Sequence, residues 1–264
     1  MTDLPGRLAR RERIPERVVL VVAHPDDETL ALASRLDCLE DLSIIHLTDG
    51  APRDLRDARQ AGVDTVENYA ELRRQELRTA MAALGSTAEL RCYWHPDQEA
   101  ILHGAAIVQN LVRDLWGAGA VITHPYEHGH PDHDAAALCV ALACRRFEAE
   151  RRPVPDRFEF PSYHLRQGQA RFGEFWPDAS APETAMPLSD DDRARRRAGL
   201  ACFGSQQAFL SHMPEMGERL RPAPAYDFRA PAPSGQAWYD QFGWTMNLAA
   251  WRRHADALLD QAPA

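Results

Sequence analysis

The chain has 264 residues, 45 % of them apolar, and a net charge of −9. That is enough to bury the core of one large α/β domain, and the acidic balance excludes a broad cationic face of the kind nucleic acid requires. All 30 basic residues are arginine; without lysine there is no Walker lysine, no Schiff base and no lysine general base, so proton transfer falls to His, Asp, Glu, Tyr or Cys.

In chain order, Arg7, Arg10, Arg11 and Arg13 read as a solvated tail with no apolar leader segment behind it. Residues 17–23 are an apolar run that fits a strand buried on both faces. A short helix is predicted over 29–38 and a second strand over 42–47, ended by the turn signal Asp49-Gly50. The arginine-rich stretch 51–64 is expected as a surface excursion over the strand ends. The clearest helix is 65–84, with Gly85 as its C-terminal stop. Then come a strand at 90–94, a helix at 105–116, a strand at 120–123, an alanine-rich helix at 134–150 and a fifth strand at 157–165, disturbed by Pro161. After Phe172 the pattern decays into proline-rich sequence, with helix expected only over 188–210. The aromatics Trp238, Tyr239, Phe242, Trp244 and Trp251 are expected to pack on the body.

Strands alternating with helices predict an α/β fold: a Rossmann-like, doubly wound, mostly parallel sheet with helices on both faces and an irregular C-terminal region. The whole chain reads as a single domain, with sheet and helices over about 17–165 and an extension over about 166–264. Five cysteines at irregular spacings, with no Cys-x-x-Cys, read as buried thiols of a cytoplasmic protein. No stretch approaches the roughly 18 apolar residues that span a bilayer. Oligomeric state is not encoded in any motif.

Two clusters carry chemistry. Ala23-His24-Pro25-Asp26-Asp27-Glu28 follows the first strand, and His124 to His133 (HPYEHGHPDH) follows the fourth. In a doubly wound sheet those strands are neighbours at the switch point, where ligands bind. His24 and Asp27, three apart in a turn, can face one ion, and His133 can reach it from the next helix. Two imidazoles and a carboxylate suit Zn2+, and equally Fe2+ or another divalent ion of borderline softness. Asp26, between two ligands, is placed to act as general base; His130 could stabilise an oxyanion or protonate a leaving amine; Asp132 could orient an imidazole. Glu28 could simply favour the helix start. His128 stands between a second group on the catalytic face and a loop residue. The isolated His46, His95, His103, His164, His212 and His254 read as turn or core histidines. No Gly-x-Ser-x-Gly and no Gly-x-Gly-x-x-Gly after the first strand offers a rival chemistry.

At these residues the chain resembles the PIG-L/LmbE family of metal-dependent N-acetylglucosaminyl deacetylases. The family's Ala/Pro-His-Pro-Asp-Asp-Glu motif matches residues 23–28, and its second, His-Pro-x-x-x-His-x-x-His or a near variant ending in Asp-His, matches 124–133. The resemblance implies His24, Asp27 and His133 as zinc ligands, Asp26 as base and His130 as stabiliser of the tetrahedral intermediate. Arg73-Arg74-Gln75-Glu76 resembles the family's Arg-x-x-Glu, so Arg73 is a candidate substrate contact beside the alternative of a solvated helix face. Pro96-Asp97 resembles a Pro-Asp step near the sugar pocket, making Asp97 a candidate acceptor for sugar hydroxyls. Gln98-Glu99 stand where many members have glycine. That departure, the 51–64 stretch and the proline-rich C-terminal third leave the substrate pocket undetermined. The resulting expectation is a metal-dependent hydrolase removing an N-acetyl or other acyl group from a small amino-sugar derivative. Its alternatives are an amidase acting on a thiol–glycoside conjugate and a non-catalytic sugar- or metal-binding module.

Overall fold

Strands of four to seven residues set the frame, three of them mostly apolar and buried along their whole length. Val18–Val22 (β1), Leu42–Thr48 (β2), Glu89–His95 (β3), Ala120–Thr123 (β4) and Asp156–Glu159 (β5) lie parallel in the order β3-β2-β1-β4-β5. The structure is a computed structural model that describes residues 3–211, 213, 217–233 and 235–261; His212, read above as a turn or core histidine, lies outside them. Tyr163–Arg166 (β6) and Gln169–Phe172 (β7) form a separate hairpin. Thr184–Met186 (β8) and Glu218–Pro222 (β9) extend the sheet antiparallel beyond β5, giving seven strands in the order β3-β2-β1-β4-β5-β9-β8.

The helices are Leu4–Ala9 (α1), Asp27–Leu32 (α2), Arg56–Gln60 (α3), Val66–Ala83 (α4), Gly104–Asp114 (α5), Pro131–Ala149 (α6), Asp190–Ala201 (α7), Gln207–Leu210 (α8) and Leu248–Asp260 (α9). Alternation along β1 shows why the sheet needs cover on both sides. Val18, Leu20 and Val22 enter one core with Leu32 of α2 and Leu77 and Met81 of α4. Val19 and Val21 enter the other with Ile107 of α5, Leu138 of α6 and Trp251 of α9. The protein therefore has the mostly parallel, doubly wound α/β architecture that its pattern predicts. No helix among the described residues is long and apolar enough to cross a membrane.

Local differences have local causes. Helix α6 begins at Pro131, three residues earlier than expected, because proline suits the first helical position and His130 caps the turn: its Nδ1 accepts from the Asp132 amide at 3.2 Å. The single strand expected over 157–165 is two, because Phe160–Ser162 carries the chain from the sheet to the hairpin. The C-terminal third is more regular than expected. Besides β8 and β9 it holds α9, where Trp251, Ala255 and Leu258 bury one stripe and Asn247 caps the start.

Two buried polar knots fasten that third to the core. His128 Nδ1 lies 2.7 Å from Asp134 Oδ2, its Nε2 accepts from the Ala232 amide at 2.8 Å, and the Tyr239 hydroxyl donates to Asp134 at 3.2 Å. Arg221 donates to Glu159 at 2.6 Å and to the Trp176 carbonyl at 2.6 Å, with Glu127 at 3.5 Å. The first knot brings residues 238–244 over the carboxyl ends of β1 and β4.

Candidate metal centre

Parallel pairing of Val18 with Ala120 and Leu20 with Ile122 puts the loops after β1 and β4 side by side. The first loop is a tight turn in which the His24 amide donates to Asp27 Oδ2 at 2.8 Å. Asp26 takes φ +135°, a conformation that ordinarily costs a non-glycine residue about 1–3 kcal/mol and is sustained only by its surroundings. Those surroundings are explicit. The Asp26 amide donates to Glu28 Oε2 at 3.1 Å, the other Glu28 oxygen accepts from Thr29 Oγ1 at 2.6 Å, and His46 Nε2 lies 3.1 Å from Oε2. From α4, Arg73 donates to the carbonyls of Pro25 (2.5 Å) and Gly50 (3.1 Å) and to Asp26 Oδ2 (3.1 Å). Gly50 is required where it stands: φ is +64°, and a Cβ would sit 2.7 Å from the Pro25 ring. In the second loop Gly129 lies so close to the Tyr163 carbonyl that a Cβ would be 1.9 Å away, which lets His130 reach the first loop.

Asp27 is the point of convergence. One of its oxygens lies 3.4 Å from His24 Nδ1 and 3.3 Å from His124 Nε2, and the other lies 3.4 Å from His133 Nε2. Both flanking imidazoles are braced from behind: His24 Nε2 is 3.1 Å from Asp132 Oδ2, and His133 Nδ1 is 3.3 Å from Ser162 Oγ. Each therefore turns its other nitrogen toward Asp27, and His133 Nε2 is buried with no hydrogen-bond partner. Braced imidazoles around a carboxylate, one carrying an orphaned lone pair, fit a divalent cation. Donor atoms of Asp27, His124 and His133 lie within 4.8 Å of one another, as do those of His24, His130 and His133. The three ligands expected from the sequence thus straddle two overlapping triads that share His133.

Electrostatics separates the groups. Burial pulls the His133 imidazole down to about 4, helped by His124, so it is neutral. His130 is also held well below its ordinary value by burial and by His24. With its Nδ1 accepting from Asp132, the His130 proton sits on Nε2 as a hydrogen-bond donor. Burial alone would lower His24, but Asp97, Asp132 and Asp27 reverse the effect and hold it above its ordinary value. Burial would likewise raise Asp27, yet His133 and His124 hold it well below the carboxylate range. Asp26 goes the other way: burial lifts it to about 8 despite Arg73, with Asp27 and Glu28 adding to the rise. Asp97 is pushed up to about 7, chiefly by burial.

The cleft over these groups has a volume of about 390 Å³ and is lined by His24, Asp26, Asp27, Arg73, Asp97 and His130, among others. Asp132 lies behind it, tying the β3 loop to α6 through the amides of Gln98 (2.6 Å) and Ala100 (2.9 Å). His128 does not line it. Its ring is fully buried, and both nitrogens are spent on Asp134 and the Ala232 amide, so it is a structural joint and not a group on the catalytic face. Arg73 is no solvated helix residue but a buried clamp on the Asp26 turn. Glu28 is buried as well, and braces that turn as more than a helix-start charge. Two contributions escape sequence reasoning: His124, stacked on His133 with ring centroids 3.8 Å apart, and the aromatic wall supplied by the hairpin and the C-terminal third.

A doubly wound α/β protein with a histidine–carboxylate centre at its switch point is the class that fold and site define. Residues 19–144 match the family model described as PIG-L: GlcNAc-PI de-N-acetylase. A comparison with curated proteins finds no match. Among solved structures, the fold recurs in the A40926 pseudoaglycone deacetylase Dbv21, at 16 % identity over 81 % of this chain and 100 % of the other, with a TM-score of 0.58. It recurs in the N,N′-diacetylchitobiose deacetylase of Pyrococcus horikoshii, at 16 % identity over 83 % and 87 %, with a TM-score of 0.50. GalB, the 4-carboxy-2-hydroxymuconate hydratase of Pseudomonas putida KT2440, shares it too, at 16 % identity over 74 % and 82 %, with a TM-score of 0.50. Deacetylases and a hydratase on one fold mean that the reaction has to be argued from the site.

Proposed function

We propose that this chain is a metal-dependent hydrolase that removes an N-acyl group, most simply acetyl, from an amino-sugar derivative. The observation that carries the reading is the set of donor atoms around Asp27, braced from behind and flanked by a carboxylate that is not needed as a ligand. The de-N-acetylase description of the matching family and the two deacetylases sharing the fold support the same chemistry. In this reading His24, Asp27 and His133 hold the ion, Zn2+ by donor type with Fe2+ as the closest substitute, and His124 supports Asp27. A divalent cation bound there supplies Lewis acidity toward an acyl carbonyl and makes water a better nucleophile near neutral pH.

The protein's own residues do the rest. Asp26, clamped by Arg73 and by the Glu28–His46 pair, accepts a proton from the attacking water and returns it to the nitrogen as the C–N bond breaks. Its elevated pKa suits both halves of that transfer. His130 donates from Nε2 to the carbonyl oxygen as negative charge develops; a ring held neutral is a better hydrogen-bond donor here than a proton source. Asp132 keeps His24 in the required orientation. Asp97, facing the cleft, accepts hydrogen bonds from sugar hydroxyls. The five cysteines, all free thiols and three of them buried, support a reducing, cytoplasmic setting.

The test is release of free amine by zinc-loaded protein from a panel of N-acetylglucosamine derivatives and N-acylated thiol–glycosides. Amine release from the acetylated sugars, abolished by chelation and restored by metal, is expected. Release only from the thiol conjugates would move the reading to an amidase, and none from any substrate would leave a binding module.

A further inference from the structure

One wall of the cleft is aromatic. From the histidines outward the rings form an unbroken chain: Trp244 lies 5.1 Å from His130, Phe242 5.0 Å from Trp244, Trp238 5.4 Å from Phe242, Tyr163 5.0 Å from Trp238, and Tyr163 closes back to within 5.1 Å of His133. Phe172 and Phe209 pack on the same group, at 5.5 Å from Trp238 and 5.6 Å from Tyr163. Burial falls along this wall. Tyr163 is buried beside the centre, Trp238 and Trp244 are half-buried, and Phe209 and Phe242 are exposed at the mouth. Apolar surface thus continues from the reacting groups to solvent, farther than an acetyl group or one sugar ring needs.

The rest of the lining bears on the charge of what fits. Asp54 and Asp57 line the cleft together with Asp26, Asp27 and Asp97. The guanidiniums among the described lining residues are already paired, Arg73 with Asp26 at 3.1 Å and Arg56 with Asp54 at 3.7 Å. Away from the metal-binding groups, a phosphate would meet Asp54 and Asp57, with the neighbouring Arg56 already shared with Asp54. Aliphatic lining is sparse, so a flexible acyl chain finds little of the surface that suits it, whereas tilted and edge-on rings match a flat aromatic partner.

We propose that the cleft selects an amino-sugar amide whose aglycone is an uncharged aromatic group, stacked on the wall centred on Trp238, and that it rejects sugar phosphates. This rests on the deacetylase reading above and adds the substrate class to it.

The experiment compares kcat/KM for amine release by zinc-loaded protein from free N-acetylglucosamine, both anomers of 4-methylumbelliferyl N-acetylglucosaminide, N-acetylglucosamine 1-phosphate and N-octanoylglucosamine. One aryl anomer should exceed the free sugar by about tenfold or more, and the 1-phosphate should fall below it. Trp238→Ala should bring the aryl-to-free ratio toward one, and Trp238→Phe should retain most of it. Equal rates on aryl and free sugar, or preference for the phosphate or the octanoyl amide, would overturn the proposal. If no substrate releases amine, the deacetylase reading is what fails. Quenching of tryptophan fluorescence by the aryl glycoside then decides separately: saturable binding weakened in Trp238→Ala upholds the wall as an aryl site, and absence of binding removes it.

Discussion

Asp26 holds a left-handed backbone conformation with a buried carboxylate, and neither is sustained without Arg73, Glu28 and His46 around it. Asp26 also forms the N-cap of α2, and its carboxylate pairs with Arg73, but a strained, buried carboxylate beside the candidate metal cluster is what the proposed base would use as well. Asp26→Asn should therefore keep its metal content while turnover falls roughly 10²- to 10⁴-fold; loss of metal in that variant would make Asp26 a ligand, and undiminished turnover would remove it as the base. At this scale the motif spacing made most of the candidate cluster legible, because His24 to Asp27 and His130 to His133 are local patterns. His124 was not legible as a member. Its contact with Asp27 depends on the β1–β4 register, which brings the Ala23 amide to within 3.1 Å of its ring, and no local spacing encodes that pairing. His128 misleads for the opposite reason: it shares the cluster's composition, but a positive φ of 58° turns it inward to Asp134.

Among the elements, α6 links the two halves of the chain. Its first turn carries His133 into the centre, and Asp134, one residue on, holds His128 and Tyr239 of the C-terminal third. Removing His128 leaves Asp134 and the Ala232 amide buried without their partner. His128→Ala should cost about 2–4 kcal/mol in urea unfolding and open residues 226–261 to proteolysis; stability within experimental error of wild type would deny the knot its role. The second knot has a pH signature. Burial raises Glu159 from 4.5 to about 7, even with Arg221 beside it. Between those values the folded protein keeps a proton that the unfolded chain releases, so stability is fully present below pH 4.5 and is lost as pH rises through about 7, by about 3 kcal/mol. Glu159→Gln should flatten that decline in urea midpoints measured from pH 5 to 8, and an unchanged slope would place the coupling elsewhere. Such knots join residues far apart in sequence, which is why the C-terminal third looked irregular. Prolines at 222, 224, 231 and 233 make the chain irregular from the end of β9 toward α9, and β9 declares itself as a strand only by pairing with β5 and β8.

Over the whole molecule, the alternation of buried strands with amphipathic helices was enough to predict a doubly wound sheet and the adjacency of β1 and β4. Everything chemical follows from that adjacency, since it turns two short motifs into one cluster. The shape of the cleft does not follow from it, because its aromatic wall comes from the hairpin and the 238–244 segment, outside the repeating pattern. The most direct test of the account is anomalous diffraction at the zinc edge from crystals of zinc-loaded protein. A single strong peak within about 2.0–2.2 Å of His24, Asp27 and His133, absent from Asp27→Asn crystals, is the predicted result. No peak there at saturating zinc, or one bound elsewhere and indifferent to Asp27, would contradict it.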